Sequence, residues 1–294
     1  MKSTNAFFLG LVFCAIIIFA TTQFMKPAAP SAQVTPQHHE TSYERVIRTG
    51  TLRCGFEYWD GGVMQTPASS QMTGAWADIT EEVGKATGLK IEWAQQVGWA
   101  DVGAALKSGK VDAICAGMWQ SAIKAKEITF SLPVTFQSIE AFAAADDQRF
   151  DNNLQRVNAA DVTAAVIDSD NSDFIAQMDF PLARRFALGS LSGTDTELLM
   201  TVATGKANVT FVAPGAWRQF TKNNPGKLRR VAPGQNLRVF GQSFATDNDD
   251  HRLMDMLNVA VQEIINAGAV DRILKKYEND YPDMYLKNAK PYQQ

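Results

Sequence analysis

Cysteine, histidine and unbalanced charge are all scarce in this chain. Three cysteines occur in 294 residues, and Cys14 lies inside an apolar leader, so the body can hold at most one internal disulfide. Cys54 and Cys115 both fall in expected strands, where the plain expectation is two buried free thiols. The only histidines are His38, His39 and His251, and two of them sit in a linker, which argues against a histidine metal centre. A net charge of -3 leaves no basic excess for nucleic acid and no acidic tail. No nucleophile–base signature stands out either. Acid–base chemistry would have to fall on Glu57, Asp60 or Lys124. No cofactor is expected.

What is present is an ordinary globular composition behind an apolar start. Residues 3–25 carry no charge, and Lys2 is a thin positive flank. The apolar run lies between a signal-peptide core and a full membrane span, and no clean small-x-small cleavage site follows it. The expectation for residues 1–25 is a signal anchor, or else a cleaved signal peptide; both export the body. Residues 26–42, with Pro27, Pro30 and Pro36, read as a flexible tether.

The body alternates strand and helix signals. A short helix over 43–48 ends at Gly50, and a strand follows over 51–56. The spacing of Trp76, Ile79 and Val83 predicts a helix that closes at Gly88. A second strand over 89–94, a helix opened by Trp99 and a third strand over 111–115 complete a βαβαβ order. That order predicts a parallel sheet with right-handed crossovers. Ser121 stands where the next helix would begin. A second α/β unit spans roughly 139–236, with strands over 139–145, 161–167, 185–188 and 208–212. A strand over 237–245 and helices over 250–266 and 269–277 follow. The last helices have no strands of their own, so the chain must return to the first unit.

Several segments, in this order and spacing, resemble one family: the bacterial extracellular solute-binding proteins of the polar-amino-acid type, partners of ABC importers. Thr73-Gly74 with Asp78-Ile79 resembles its TGFDVDL. Trp99 followed by Ser108-Gly109-Lys110-Val111-Asp112 resembles W…L.SGKVD. Gly117-Met118, Lys126 and Phe130-Ser131 with Pro133 resemble GMTITPERAKQVDFSDPY, and IINAGAVDRILKKY resembles ADGTYDKIYKKY. The resemblance covers about 43–286.

It implies an α/β, two-lobed periplasmic-binding-protein-like fold preceded by the N-terminal apolar helix. Lobe 1 would comprise 43–138 plus 242–294, and lobe 2 would comprise 139–241. Hinge strands would lie near 137–143 and 239–245, with cleft closure on binding. It further implies a periplasmic location, anchored in the inner membrane through the leader, and a monomer that captures a small polar solute for an ABC permease. Two alternatives stand beside this: a membrane-anchored sensor or interaction module, and a dehydratase-like enzyme on the same fold.

The site departs from the family pattern. Lys124 stands where an arginine fork grips the ligand α-carboxylate, and a lysine offers only a point charge. Ala213 matches the aspartate that pairs with the α-ammonium. The loop whose donors meet the carboxylate reads Asp168-Ser169-Asp170-Asn171-Ser172. Asp173 and Asp179 spoil its likeness to a calcium loop, so it reads as a helix cap. These departures point away from a standard α-amino acid. Carboxylates and aromatic faces at the cleft edge suit an amine-bearing cation. The expected ligand-binding residues are Glu57, Tyr58, Trp59, Asp60, Trp119, Gln120, Ser121, Lys124, Asp168, Ser169, Ser172 and Trp217. Trp76 and Trp99 are expected to serve packing.

Overall fold

The computed structural model describes residues 40–66, 70–189 and 193–286. The expectations for the leader, and for the tether as far as residue 39, lie outside the described residues. Among the described residues no helix is long and apolar enough to cross a membrane.

The described chain starts with helix α1 (Ser42–Thr49). Thr41 and Glu44 cap it reciprocally, and Gly50 ends it in the left-handed conformation. Strand β1 (Thr51–Phe56) follows, then a small hairpin of β2 (Met64–Gln65) and β3 (Met72–Thr73). Helix α2 (Ala75–Thr87) leads to β4 (Lys90–Gln96), and helix α3 (Val102–Lys107) leads to β5 (Ala113–Trp119). Strands β4, β1 and β5 lie side by side and parallel. After β6 (Ile128–Phe130), the ten-residue strand β7 (Thr135–Ala144) carries the chain out of this first lobe.

The second lobe holds the parallel strands β8 (Thr163–Ile167), β9 (Arg184–Leu188) and β10 (Val209–Val212). Helices α4 (Asn171–Asp179), α5 (Asp195–Ala203) and α6 (Pro214–Asn223) alternate with them. β11 (Leu228–Arg230) pairs antiparallel with β7. Then β12 (Arg238–Asp247) returns antiparallel to β7 and reaches β5 and β6 of the first lobe. Helices α7 (His251–Asn266) and α8 (Ala269–Tyr277) close the first lobe. The long strands β7 and β12 thus join the two lobes through one continuous sheet path.

Each lobe has its own core. In the first, Trp76, Ile79 and Val83 of α2 pack with Leu52, Phe244, Leu253 and Leu257. In the second, Ile139, Val166 and Phe211 pack with Phe150 and Phe180, and Phe180 stacks on Phe211. Trp76 donates from its indole to Thr135 Oγ1 at 3.2 Å, so its one polar atom is satisfied in the core. Gly117 makes that packing possible. A Cβ there would lie 2.4 Å from the Trp76 ring, and its φ of 74° favours glycine. Asp112, fully buried, is held by Arg45 and Arg53 of α1 and β1.

Two expectations need correction. Cys54 and Cys115 are joined in a disulfide rather than left as free thiols, with a Cα separation of 5.5 Å. The parallel register sets Cys54 opposite Ala113, which brings Cys115 within bridging distance on the adjacent strand. The stretch after Ser121 is also not an α-helix. β5 continues to Trp119 because it pairs with β12 at Met118 and Trp119, and only a 3-10 turn, Lys124–Lys126, follows.

Candidate functional site

A cavity of about 510 Å³ opens between the lobes, at the carboxyl ends of the parallel strands. The first lobe contributes the loop after β1 (Glu57, Tyr58, Trp59 and Asp60), Gln96 at the end of β4 with Trp99 after it, and Trp119 at the end of β5 with Lys124 after it. Gln137 and Gln242 come from the two connecting strands. The second lobe contributes Asp170 and Asn171 at the start of α4, Thr194, Asp195 and Thr196 at the start of α5, and Ala213 and Ala216 at α6.

Hydrogen bonds pin the first-lobe wall. Trp59 sits in a tight turn against Val63, and its indole donates to the Ala116 carbonyl at 2.8 Å. Trp119 donates from Nε1 to Gln137 Oε1 at 2.7 Å and stacks on Phe240, with centroids 5.2 Å apart and planes 7° from parallel. Both partners lie on the connecting strands, so the Trp119 ring sits at the joint of the two lobes. Glu57 Oε1 accepts from the Gln96 side chain at 2.7 Å and from the Tyr58 N–H at 3.0 Å. Lys124 Nζ donates to the Trp99 carbonyl at 2.7 Å.

The second-lobe wall carries charge. Two helix N-termini face the cavity, a setting that favours anions. Here the chain supplies the anions itself. Asp170 is the residue before α4, and burial raises its carboxyl above the ordinary range, while the Asn171 N–H and the Lys124 charge act the other way. Asp195 is the first residue of α5, within the Thr194–Glu197 capping box. Burial, then the like charges of Asp170 and Asp60, push it up to about 7. Asp60 belongs to the first lobe, so the field acts across the cleft.

Six of the twelve expected residues line this cavity: Glu57, Tyr58, Trp59, Asp60, Trp119 and Lys124. The other six lie elsewhere. Gln120 bonds the Ser131 carbonyl through its side chain, and the Ser121 carbonyl accepts from Ala125 in the turn. Ser172 Oγ is turned inward and accepts from the Ile167 N–H. Asp168 is exposed, and its N–H donates to the Leu188 carbonyl. Ser169 takes a left-handed φ of 59° at the loop crest. Trp217 stacks on Phe142 at 5.4 Å and borders a separate hollow with Arg229 and Arg230.

Sequence reasoning missed Trp99, which it assigned to packing, and also Gln96, Gln137, Asn171, Asp170 and Asp195 as wall residues. The Thr194-x-x-Glu197 pattern was a usable signal, because it marks a helix N-terminus in the second lobe. Met284 gave no signal. It lies beyond α8, where the chain crosses back to α6. Asp283 Oδ2 accepts from Arg218 Nε at 2.6 Å, and the Asp280 carbonyl accepts from Gln219 and Lys222. The Leu286 N–H donates to the Phe136 carbonyl at 2.8 Å. Met284 reaches the cavity wall over Gly215, where a Cβ would come within 3.0 Å of it.

No curated protein matches the chain. Solved structures share its fold. An ancestral amino acid-binding protein, described as a precursor of cyclohexadienyl dehydratase, superposes with a TM-score of 0.67 at 20% identity, over 81% of this chain and 99% of that one. A binding component of an ABC transporter from Wolinella succinogenes, complexed with lysine, gives 0.66 at 19% identity over 77% and 95%. The periplasmic VFT2 domain of BvgS from Bordetella pertussis gives 0.67 at 17% identity over 80% and 97%. The family model of the bacterial extracellular solute-binding proteins, family 3, matches residues 54–280, and the chain belongs to that family.

Proposed function

We propose that this protein captures a small organic cation in the interlobe cleft on the outer side of the inner membrane, and delivers it as a monomer to an ABC permease. The observation that carries this reading is the charge of the walls. Four carboxylates, of Glu57, Asp60, Asp170 and Asp195, face one ammonium, that of Lys124, which is already bonded to a carbonyl. Aromatic faces of Tyr58, Trp99 and Trp119 add a surface for a cation.

A standard α-amino acid fits this site poorly. Its carboxylate would meet Asp170 and Asp195 at the helix ends, and its ammonium would meet Ala213 where the family resemblance implies an aspartate. Ligand transfer rather than turnover is the role that membership of a solute-binding family favours. The leader would hold the body to the membrane.

A second reading has a specific observation behind it. One structural neighbour is a histidine kinase sensor domain with similarity to periplasmic binding proteins. The segment crossing from α8 to α6 would let such a module report cleft occupancy at its C-terminal side.

Thermal-shift titration with alkylamines, standard amino acids and organic acids tests the cation reading. Amines should raise Tm in proportion to ln(1 + [L]/Kd). A shift with organic acids or neutral amino acids and none with amines overturns it.

A further inference from the structure

Resting on the cation reading, we infer that the ligand is a linear aliphatic diamine, one ammonium paired with Asp60 of the first lobe and the other with Asp195 of the second. The argument starts from which carboxylates are already answered. Glu57 accepts from the Gln96 amide and the Tyr58 N–H. The Lys124 charge acts on Asp170, which also takes the Asn171 N–H. Asp60 and Asp195 remain. No donor among the described residues bonds either carboxylate, yet both line the cavity and come from opposite lobes.

A single ammonium answers one of them and leaves the other carboxylate on the cavity wall without a partner. A divalent metal ion does not fit. Among the described residues no group of three or more His, Cys, Asp or Glu is close enough to hold one. Two unanswered carboxylates on opposite walls call for a ligand with a positive charge at each end. The same cavity is lined by the rings of Trp99 and Trp119, apolar faces for a methylene chain. A volume of about 510 Å³ has room for such a ligand and its residual water.

The pairing also gives Asp195 a defined part. In the empty cleft burial, and then the fields of Asp170 and Asp60, let it hold a proton near neutral pH. A bound ammonium removes that repulsion, and the carboxyl ionises. Binding at pH 7 therefore releases a fraction of a proton per site.

Isothermal titration calorimetry with 1,4-diaminobutane, 1,5-diaminopentane, n-butylamine and L-lysine decides the matter on the intact protein. A diamine should bind at least about 30-fold tighter than n-butylamine, the ratio expected when one hydrogen bond between charged groups is lost. Asp195→Asn and Asp60→Asn should each bring diamine affinity down toward the butylamine level, and circular dichroism should show both variants folded. In two buffers of different ionisation enthalpy, wild type should show proton release that Asp195→Asn lacks. Butylamine binding as tightly as the diamines, or diamine affinity unmoved in both variants, overturns the inference and leaves the cation reading standing. Binding of L-lysine with all simple amines silent overturns both, as does silence from every amine.

Discussion

The two walls of the cleft are made differently. The first lobe offers rings whose positions are set by hydrogen bonds to backbone and strand side chains, above a sheet stapled by Cys54–Cys115. The second offers carboxylates at the starts of two helices, with no disulfide and no tryptophan in its share of the wall. The first lobe supplies rings together with Glu57, Asp60 and Lys124, while the second supplies carboxylates at helix starts and no ring.

The largest expected effect breaks the rigid side. Replacing both cysteines by alanine opens a loop of 61 residues in sequence separation, and chain-entropy reasoning puts the loss at about 4 kcal/mol. Calorimetry should show Tm falling by roughly 10 °C, given about 2–4 °C per kcal/mol in a chain of this size. Asp112→Ala comes next. It strands Arg45 and Arg53 beside a buried gap, and a loss of about 3 kcal/mol is expected by urea denaturation.

A pH series sharpens the charged side. An unfolded aspartate ionises near 3.9, and Asp195 in the empty fold near 7. Between these values the folded protein keeps a proton that the unfolded chain has released, so Asp195 makes stability fall as pH rises through this window. Asp60 and Asp170 set its field, and Lys124 acts on Asp170. Tm measured from pH 5 to 8 should show that slope, and Asp195→Asn should flatten it. The smallest effect returns to the aromatic wall: Trp99→Ala should weaken amine binding about fivefold, the scale of one exposed cation–π contact, with little change in fold.

The architecture was legible because each element announced itself. Trp76, Ile79 and Val83 marked a helix face, Gly50 and Gly88 marked helix ends, and the strand–helix alternation implied parallel pairing. The disulfide was not legible, since two cysteines in strands say nothing of register. The absence of a helix after Ser121 was hidden for the same reason: β12 lies far away in sequence, and its pairing kept Met118 and Trp119 extended. In the site, loop residues beside β1 were readable from their chemistry. Those in 168–172 were not, because sequence alone does not say which aspartate of this loop faces the cavity: Asp170 lines it, while Asp168 is exposed and its N–H is tied to Leu188.

The segment that crosses from α8 to α6 makes the protein its own gauge. Its helix belongs to one lobe, while Asp280, Asp283 and Met284 engage the other, and the Leu286 N–H is held by a carbonyl on β7. Separation of the lobes must stretch these contacts before it disturbs either core. Hydrogen exchange at the Leu286 amide should thus time the breathing of the cleft in the unlabelled chain, slowing whenever a ligand draws the walls together.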